Sequence, residues 1–365
     1  MARKKSTPNL EKFDKAMRAE ATTGLLEWHS PRKAPFHLAG FAWYKSEGVY
    51  RRMPRKPKLG LPEAVDHLAN NTAGGQIRFQ TDSTKLSVRA KLSAPAGMVH
   101  MPATGQCGFD CYIGAPTKQL YLSTTKYDVK ADTYDCALFD LPTSELRNIT
   151  LNFPLYQGVE EVEIGLNPRA KVIAPPPYAL SRPVLIYGTS ITQGGCASRP
   201  GMLYSNILSR RLNVEFINLG FSGSGKGEPE VAHVIAEIER PALLVIDNEA
   251  NVATLDDLKR TLPEFIRILR KAQPSVPILV ISRVRFAGDN FNEKVRTDRI
   301  ARRDFQHQTV LAFRANDPQI FFHDGADLLG TDFDECTVDG VHPTDLGFLR
   351  IANGLETVFR IILGL

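Results

Sequence analysis

A serine that closes an apolar, strand-length run and an Asp-x-x-His near the far end of the chain are the residues best suited to chemistry. In Val184-Leu185-Ile186-Tyr187-Gly188-Thr189-Ser190-Ile191-Thr192-Gln193-Gly194-Gly195 the apolar run stops at Gly188, and helix-like sequence resumes near Pro200. A strand–turn–helix of this kind presents a hydroxyl at the carboxyl edge of a sheet, where α/β proteins keep their sites. Because Ile191-Thr192 follow the serine, this is not the Gly-x-Ser-x-Gly elbow. In Val338-Asp339-Gly340-Val341-His342-Pro343-Thr344-Asp345-Leu346-Gly347 the aspartate precedes the histidine by three, so one turn ahead of the last helix can hold both. A serine hydroxyl is almost un-ionised at neutral pH and needs a base within hydrogen-bond reach. His342 is suited to be that base, with the Asp339 carboxylate fixing its tautomer and favouring the imidazolium that forms. Each fragment alone is also an ordinary turn. Together they indicate acyl transfer.

Those two pieces, in that order, resemble the SGNH (GDSL-type) hydrolases, which carry a serine in a first block and Asp-x-x-His in the last. The resemblance implies an oxyanion hole built from the Ser190 N–H, a glycine N–H and an asparagine side chain. Asn218-Leu219-Gly220-Phe221-Ser222-Gly223-Ser224-Gly225 matches the glycine block. Gly223 is the expected donor, with Gly220 and Gly225 as competitors. The asparagine block falls on Asp247-Asn248-Glu249-Ala250-Asn251-Val252, where Glu249 replaces the expected glycine. Asn251 fits better than Asn248. The run Gly-Phe-Ser-Gly-Ser-Gly-Lys-Gly lacks the Gly-Lys-Ser/Thr ending of a phosphate loop.

The elements that must position these residues fall into two textures. From about 72 to 166 many short alternating stretches are separated by turns, among them Gln76–Thr81, Lys85–Leu92, Phe109–Ile113 and Val159–Ile164, which predicts a β-sandwich. Within it, Gly108-Phe109-Asp110-Cys111-Tyr112 resembles the Gly-x-Asp-Leu-Tyr signature of the jelly-roll module that precedes one SGNH subgroup, with Cys111 in place of leucine. From 183 onward apolar strands alternate with amphipathic helices, which predicts a parallel sheet covered on both faces. The family resemblance adds a flavodoxin-like strand order. The expected fold is therefore α/β, a flavodoxin-like hydrolase domain preceded by an all-β jelly-roll domain. Its divisions are a tail and amphipathic helix over 1–30, the sandwich over 31–174, a Pro-rich linker over 175–182, and the catalytic domain over 183–365.

Composition narrows the classes. The 365 residues are 43% hydrophobic and 23% charged with a formal net charge of +5, an ordinary globular balance that does not indicate nucleic acid. No signal peptide and no apolar run of membrane-spanning length is visible, so a cytoplasmic protein without membrane partners is expected. The five cysteines, at 107, 111, 136, 196 and 336, lack zinc-ligand spacing. They are expected to be reduced and packed, including Cys196 beside the serine turn, and no metal or cofactor is called for. Arg51-Arg52-Met53-Pro54-Arg55-Lys56-Pro57-Lys58 is read as a solvated loop, since prolines break any helix and no aromatic residues interleave the charges. A helical stripe of Leu10, Phe13, Met17, Ala21 and Leu25 is expected to dock on a neighbouring domain or subunit, which leaves a homo-oligomer open. The remaining histidines, His29, His37, His67, His100, His233, His307 and His323, read as surface or packing residues, with His323 at a strand end able to line the pocket.

The expected function is a serine esterase that removes a small acyl group, acetyl by family tendency, from a carbohydrate-like or other polar alcohol. Arg199, between the serine turn and the next helix, is a candidate substrate contact. So are Arg285 and Phe286, in the loop after the fourth strand. Acyl transfer to a non-water acceptor is the alternative within the same chemistry. A non-catalytic binding protein is the alternative outside it.

Overall fold

The computed structural model describes residues 12–19 and 21–365. Its first part is a pair of antiparallel sheets. One has the order Glu27–His29, Val159–Leu166, Lys85–Leu92, Thr133–Asp140; the other runs Val172–Ile173, Gln76–Thr81, Arg147–Asn152, Asp110–Ile113, Leu120–Thr124, with His37–Ala39 also paired to Gln76–Thr81. Alternating side chains from both sheets, including Ile77, Phe79, Val88, Leu151 and Ile164, fill one core between them. The Thr133–Asp140 strand, at the edge of the first sheet, is an element that the sequence reading passed over. Its inward Tyr134, Cys136 and Leu138 alternate with Asp135 and Ala137, a weak period-2 signal among polar residues.

The second part is a five-stranded parallel sheet in the order Phe216–Gly220, Val184–Gly188, Leu243–Asp247, Ile278–Ile281, Ile320–His323. In chain order this is 2-1-3-4-5, the flavodoxin-like arrangement expected. The period of two sorts each strand between two layers. Val184 and Ile186 face helices Tyr204–Leu212 and Asp345–Leu363, whereas Leu185 and Tyr187 face Pro229–Ala236 and Leu255–Ala272. Such strands are buried on both faces, which is why they are apolar throughout. No helix among the described residues is long and apolar enough to cross a membrane.

Two expectations need correction. Of the supposed helix near the N-terminus, Leu10 lies outside the described residues. The remainder forms one short turn at Lys15–Met17 and a strand, Glu27–His29, that joins the sandwich. Phe13, Met17 and Leu25 are exposed, while Ala21 forms an isolated antiparallel bridge with Cys136 of the sandwich. The Pro-rich segment is seated on both layers: Arg78 donates to the Pro176 carbonyl at 3.0 Å, and Ala179 N–H donates to Asn213 O at 2.7 Å.

The second correction has the larger consequence. The basic run is not solvated at its start, because Arg52 and Met53 are fully buried and Arg51 pairs with Asp66. The Arg52 guanidinium lies between the two domains. It donates to Leu68 O at 2.7 Å, Asn71 O at 2.8 Å and Gly220 O, and its plane lies over Phe221. Burial draws its pKa down to about 9, and its partners are backbone carbonyls and amide oxygens rather than a carboxylate. One side chain of the sandwich domain thereby anchors the glycine loop of the other. Replacing it takes the guanidinium donor from Asn71 O and Gly220 O, while Leu68 O keeps the Asn71 N–H; each buried carbonyl left unpaired costs about 1–3 kcal/mol. Arg52→Met is expected to lower unfolding stability by roughly 3 kcal/mol or more in urea denaturation. A loss below about 1 kcal/mol contradicts this anchoring role.

Candidate active site

Ser190 opens the short helix Ser190–Gln193 directly after the first parallel strand. Thr189 caps it: its hydroxyl accepts from Ile191 N–H, and the Thr192 hydroxyl accepts from Thr189 N–H at 3.2 Å, a reciprocal capping box. The turn is tight enough to demand glycine around it. A Cβ on Gly220 would lie 2.3 Å from Gln193 N, and one on Gly225 would lie 2.0 Å from Gly188 O. The glycine loop thus packs directly against the serine turn.

The Ser190 Oγ lies 2.9 Å from His342 Nε2, and His342 Nδ1 lies 2.7 Å from Asp339 Oδ2. Asp339 Oδ1 also accepts the Val341 and His342 backbone N–H groups at 3.0 and 2.8 Å. Partial burial works against ionisation of this carboxyl, but the His342 N–H, the ring and Val341 N–H together hold it below the usual carboxylate range. The three sequence-predicted residues are therefore brought into one continuous relay.

The oxyanion candidates separate by what their donors already do. Gly225 N–H donates to Phe221 O at 3.1 Å and to Asn251 Oδ1 at 3.3 Å, and Gly220 N–H donates to Asn218 Oδ1 at 2.9 Å. Among the described residues the Ser190 and Gly223 N–H groups have no protein acceptor. Gly223 takes φ +66 with open space beside it. The bond to Gly225 orients the Asn251 carboxamide by its oxygen, and its NH₂ has no acceptor among the described residues. Asn248, by contrast, is buried beneath Gly227. Glu249, the residue that broke the expected pattern, is buried too, accepting from Arg283 N–H at 2.8 Å and Gln306 Nε2 at 2.6 Å.

The proposed substrate contacts fare differently. Arg199 turns into the sandwich domain, donating to Asp110 at 3.1 Å and to the Tyr112 hydroxyl at 2.5 Å, with its guanidinium over Tyr121. Arg285 binds Ala326 O, Asp327 and Gly330 O, each at 2.9 Å. Phe286 packs against the core layer beneath Arg283. None of these contacts is with Ser190, Asp339 or His342. The same loop does reach the histidine turn, since Ala287 N–H donates to Gly340 O at 2.8 Å.

Sequence reading missed three contributors. His100, on a loop of the sandwich domain, stacks edge-on to His342 with 5.6 Å between ring centroids, and its Nε2 is 3.9 Å from Asp339 Oδ2. Its surroundings of Pro95, Gly97 and Pro102 carry no local motif, so only the tertiary contact identifies it. Tyr156, also from the sandwich, donates to the Ser190 carbonyl at 3.3 Å. Asp247 lies behind the turn, accepting from Thr192 Oγ1 at 3.0 Å and Tyr204 OH at 2.8 Å. The signature residue Asp110 is fully buried and accepts Gly201 N–H at 2.6 Å, so it anchors the segment after the serine turn to the first domain.

Desolvation, outweighing the hydrogen bonds from Tyr204 and Thr192, pushes the Asp247 carboxyl up to about 7. An unfolded Asp titrates near ~4, so the native state holds this proton more tightly. The stability it contributes is complete below pH ~4 and is lost as pH rises through about 7. Asp247→Asn lacks that titration. Its denaturation midpoint is therefore expected to gain on the wild type between about pH 4 and pH 8, and a pH-independent difference contradicts the assignment.

Residues 181–360 match the model of the GDSL-like lipase/acylhydrolase family, and residues 26–172 match the GxDLY module found at the N-terminus of SGNH-hydrolase-type esterases. Among solved structures, a GDSL-like lipase from Bacteroides ovatus superposes with a TM-score of 0.85 at 30% identity, covering 93% of this chain and 98% of that one. The salicylyl-acyltransferase SsfX3 of a tetracycline biosynthetic pathway gives 0.74 at 19% identity, over 92% and 97% of the two chains. A family two carbohydrate esterase from Cellvibrio japonicus gives 0.61 at 14%, over 93% and 98%. The last two likenesses show a shared two-domain fold. No match was found among curated proteins. The chain belongs to the GDSL-like (SGNH) lipase/acylhydrolase family and is an ester hydrolase carrying a GxDLY-type module.

Proposed function

We propose that Ser190, His342 and Asp339 form the catalytic triad of a serine esterase that removes a small acyl group, acetyl above all, from a carbohydrate-like alcohol. The observation that carries this reading is the unbroken relay from Ser190 Oγ through the two His342 ring nitrogens to Asp339 Oδ2. His342 Nε2 takes the serine proton as Oγ attacks the ester carbonyl. Asp339, held acidic by its hydrogen bonds, stabilises the imidazolium and keeps the ring in register. The developing oxyanion is met by the N–H groups of Ser190 and Gly223 and the Asn251 NH₂, donors without a protein acceptor among the described residues. Collapse of the intermediate expels the alcohol, protonated by His342. Water activated by the same ring then releases the acyl group.

Likeness to a carbohydrate esterase supports the sugar-like alcohol. Likeness to an acyltransferase, with the higher TM-score of the two, supports transfer to a specific acceptor as the second reading. The chemistry at Ser190 is common to both. Only the nucleophile that resolves the acyl-enzyme differs.

Hydrolysis of p-nitrophenyl esters from acetyl to octanoyl separates these readings. Wild type is expected to prefer acetate, and Ser190→Ala to fall at least ~10³-fold, toward the residual rate that binding and an oxyanion hole sustain alone. Preference for long chains contradicts the acetyl assignment. Stoichiometric acylation of Ser190 without turnover in water favours transfer.

A further inference from the structure

His100, Cys196 and His342 meet although they come from three separate segments of the chain, one of them in the sandwich domain. One ring nitrogen of each histidine and the Cys196 Sγ all lie within 4.8 Å of one another. No other group of three or more potential metal-ligating residues forms among the described residues. Cys196 is buried and held at φ +75, a conformation uncommon for a residue with a side chain. We propose that these three side chains form an inhibitory site for a thiophilic divalent cation of the zinc type.

The donor set argues for the class of ion. Two imidazoles and one sulfur suit zinc and neighbouring borderline metals, and do not suit magnesium or calcium, which take oxygen ligands. Tetrahedral bonds of about 2.0–2.3 Å place ligand atoms roughly 3.3–3.6 Å apart. From 4.8 Å or less the cluster closes by at most about 1.5 Å, within the reach of side-chain torsions. Binding by Cys196 releases its thiol proton to solvent, and the fourth position remains for water or the Ser190 oxygen.

The inhibitory character follows from His342 itself and rests on the catalytic role proposed above. Both of its ring nitrogens are committed, Nε2 to Ser190 and Nδ1 to Asp339. A metal on either nitrogen removes one of the two bonds of the relay. Occupancy and turnover are then mutually exclusive, whichever nitrogen is taken.

The test uses the full-length protein stripped with chelator. Titration with ZnCl₂ is expected to abolish p-nitrophenyl acetate hydrolysis, with recovery on adding EDTA and no effect of MgCl₂ at the same concentration. His100→Gln and Cys196→Ala, each normalised to its own metal-free rate, are expected to need at least ~10-fold more zinc, since even partners outside the ligand set alter metal affinity that much. CoCl₂ supplies a readout independent of catalysis: a thiolate-to-cobalt charge-transfer band in wild type that is absent from Cys196→Ala. Zinc sensitivity equal in wild type and both variants, or no thiolate–cobalt band in folded wild type, overturns the site. A cobalt band without esterase activity upholds the metal site and counts against the esterase reading instead.

Discussion

Everything in this architecture serves one contact, the 2.9 Å approach of the Ser190 hydroxyl to an imidazole 152 positions later in the chain. A proton-transfer pair of this kind tolerates little displacement, and misplacement by 1 Å costs orders of magnitude in rate. The serine is held from the sheet side by its capping box and from behind by Thr192 and Tyr204 on Asp247. The histidine is held by a turn whose aspartate accepts from two backbone amides as well as the ring. Neither partner relies on a flexible tether.

The sandwich domain is part of that scaffold rather than an appendage. Its Tyr156 touches the Ser190 carbonyl, its Asn71 and Leu155 accept from Gln193 at 3.0 and 3.2 Å, and its Arg52 fixes the Gly220 carbonyl. Asp110 and Thr104 hold the segment from Ser198 to Gly201, Thr104 through a 2.6 Å bond to Ser198 O. Close approaches enforce the fit: a Cβ on Gly105 would fall 2.1 Å from Ala197 O. The serine turn is thus clamped between a parallel sheet and a β-sandwich, and His100 places the sandwich within reach of the Ser190–His342–Asp339 hydrogen bonds.

What was legible beforehand follows from how each signal is encoded. The serine turn, the Asp-x-x-His turn and the glycine loop are local, with residue type and spacing dictated by hydrogen bonds a few positions apart, so the sequence carries them openly. The parallel strands were legible for the same reason, since burial on both faces leaves continuous apolar runs. Arg52, His100 and Arg199 were misread because their roles depend on partners more than 85 residues away, and a charged or titratable residue is ordinarily solvated. Arg52 stands at the buried head of a Pro- and Lys-rich run whose charges read as solvated. The Phe13–Leu25 stripe shows the converse failure: helical spacing of apolar residues is only a weak prior, and here one short turn and then a strand take its place.

The central claim is that His342 makes Ser190 nucleophilic at neutral pH. Its most direct test is the rate of covalent labelling by a fluorophosphonate, followed by intact mass and peptide mapping, in wild type and in His342→Ala. One adduct per chain on Ser190 is expected, with labelling slowed by ~10²-fold or more when the base is removed. An adduct on another residue, or equal rates in the two proteins, would contradict the account.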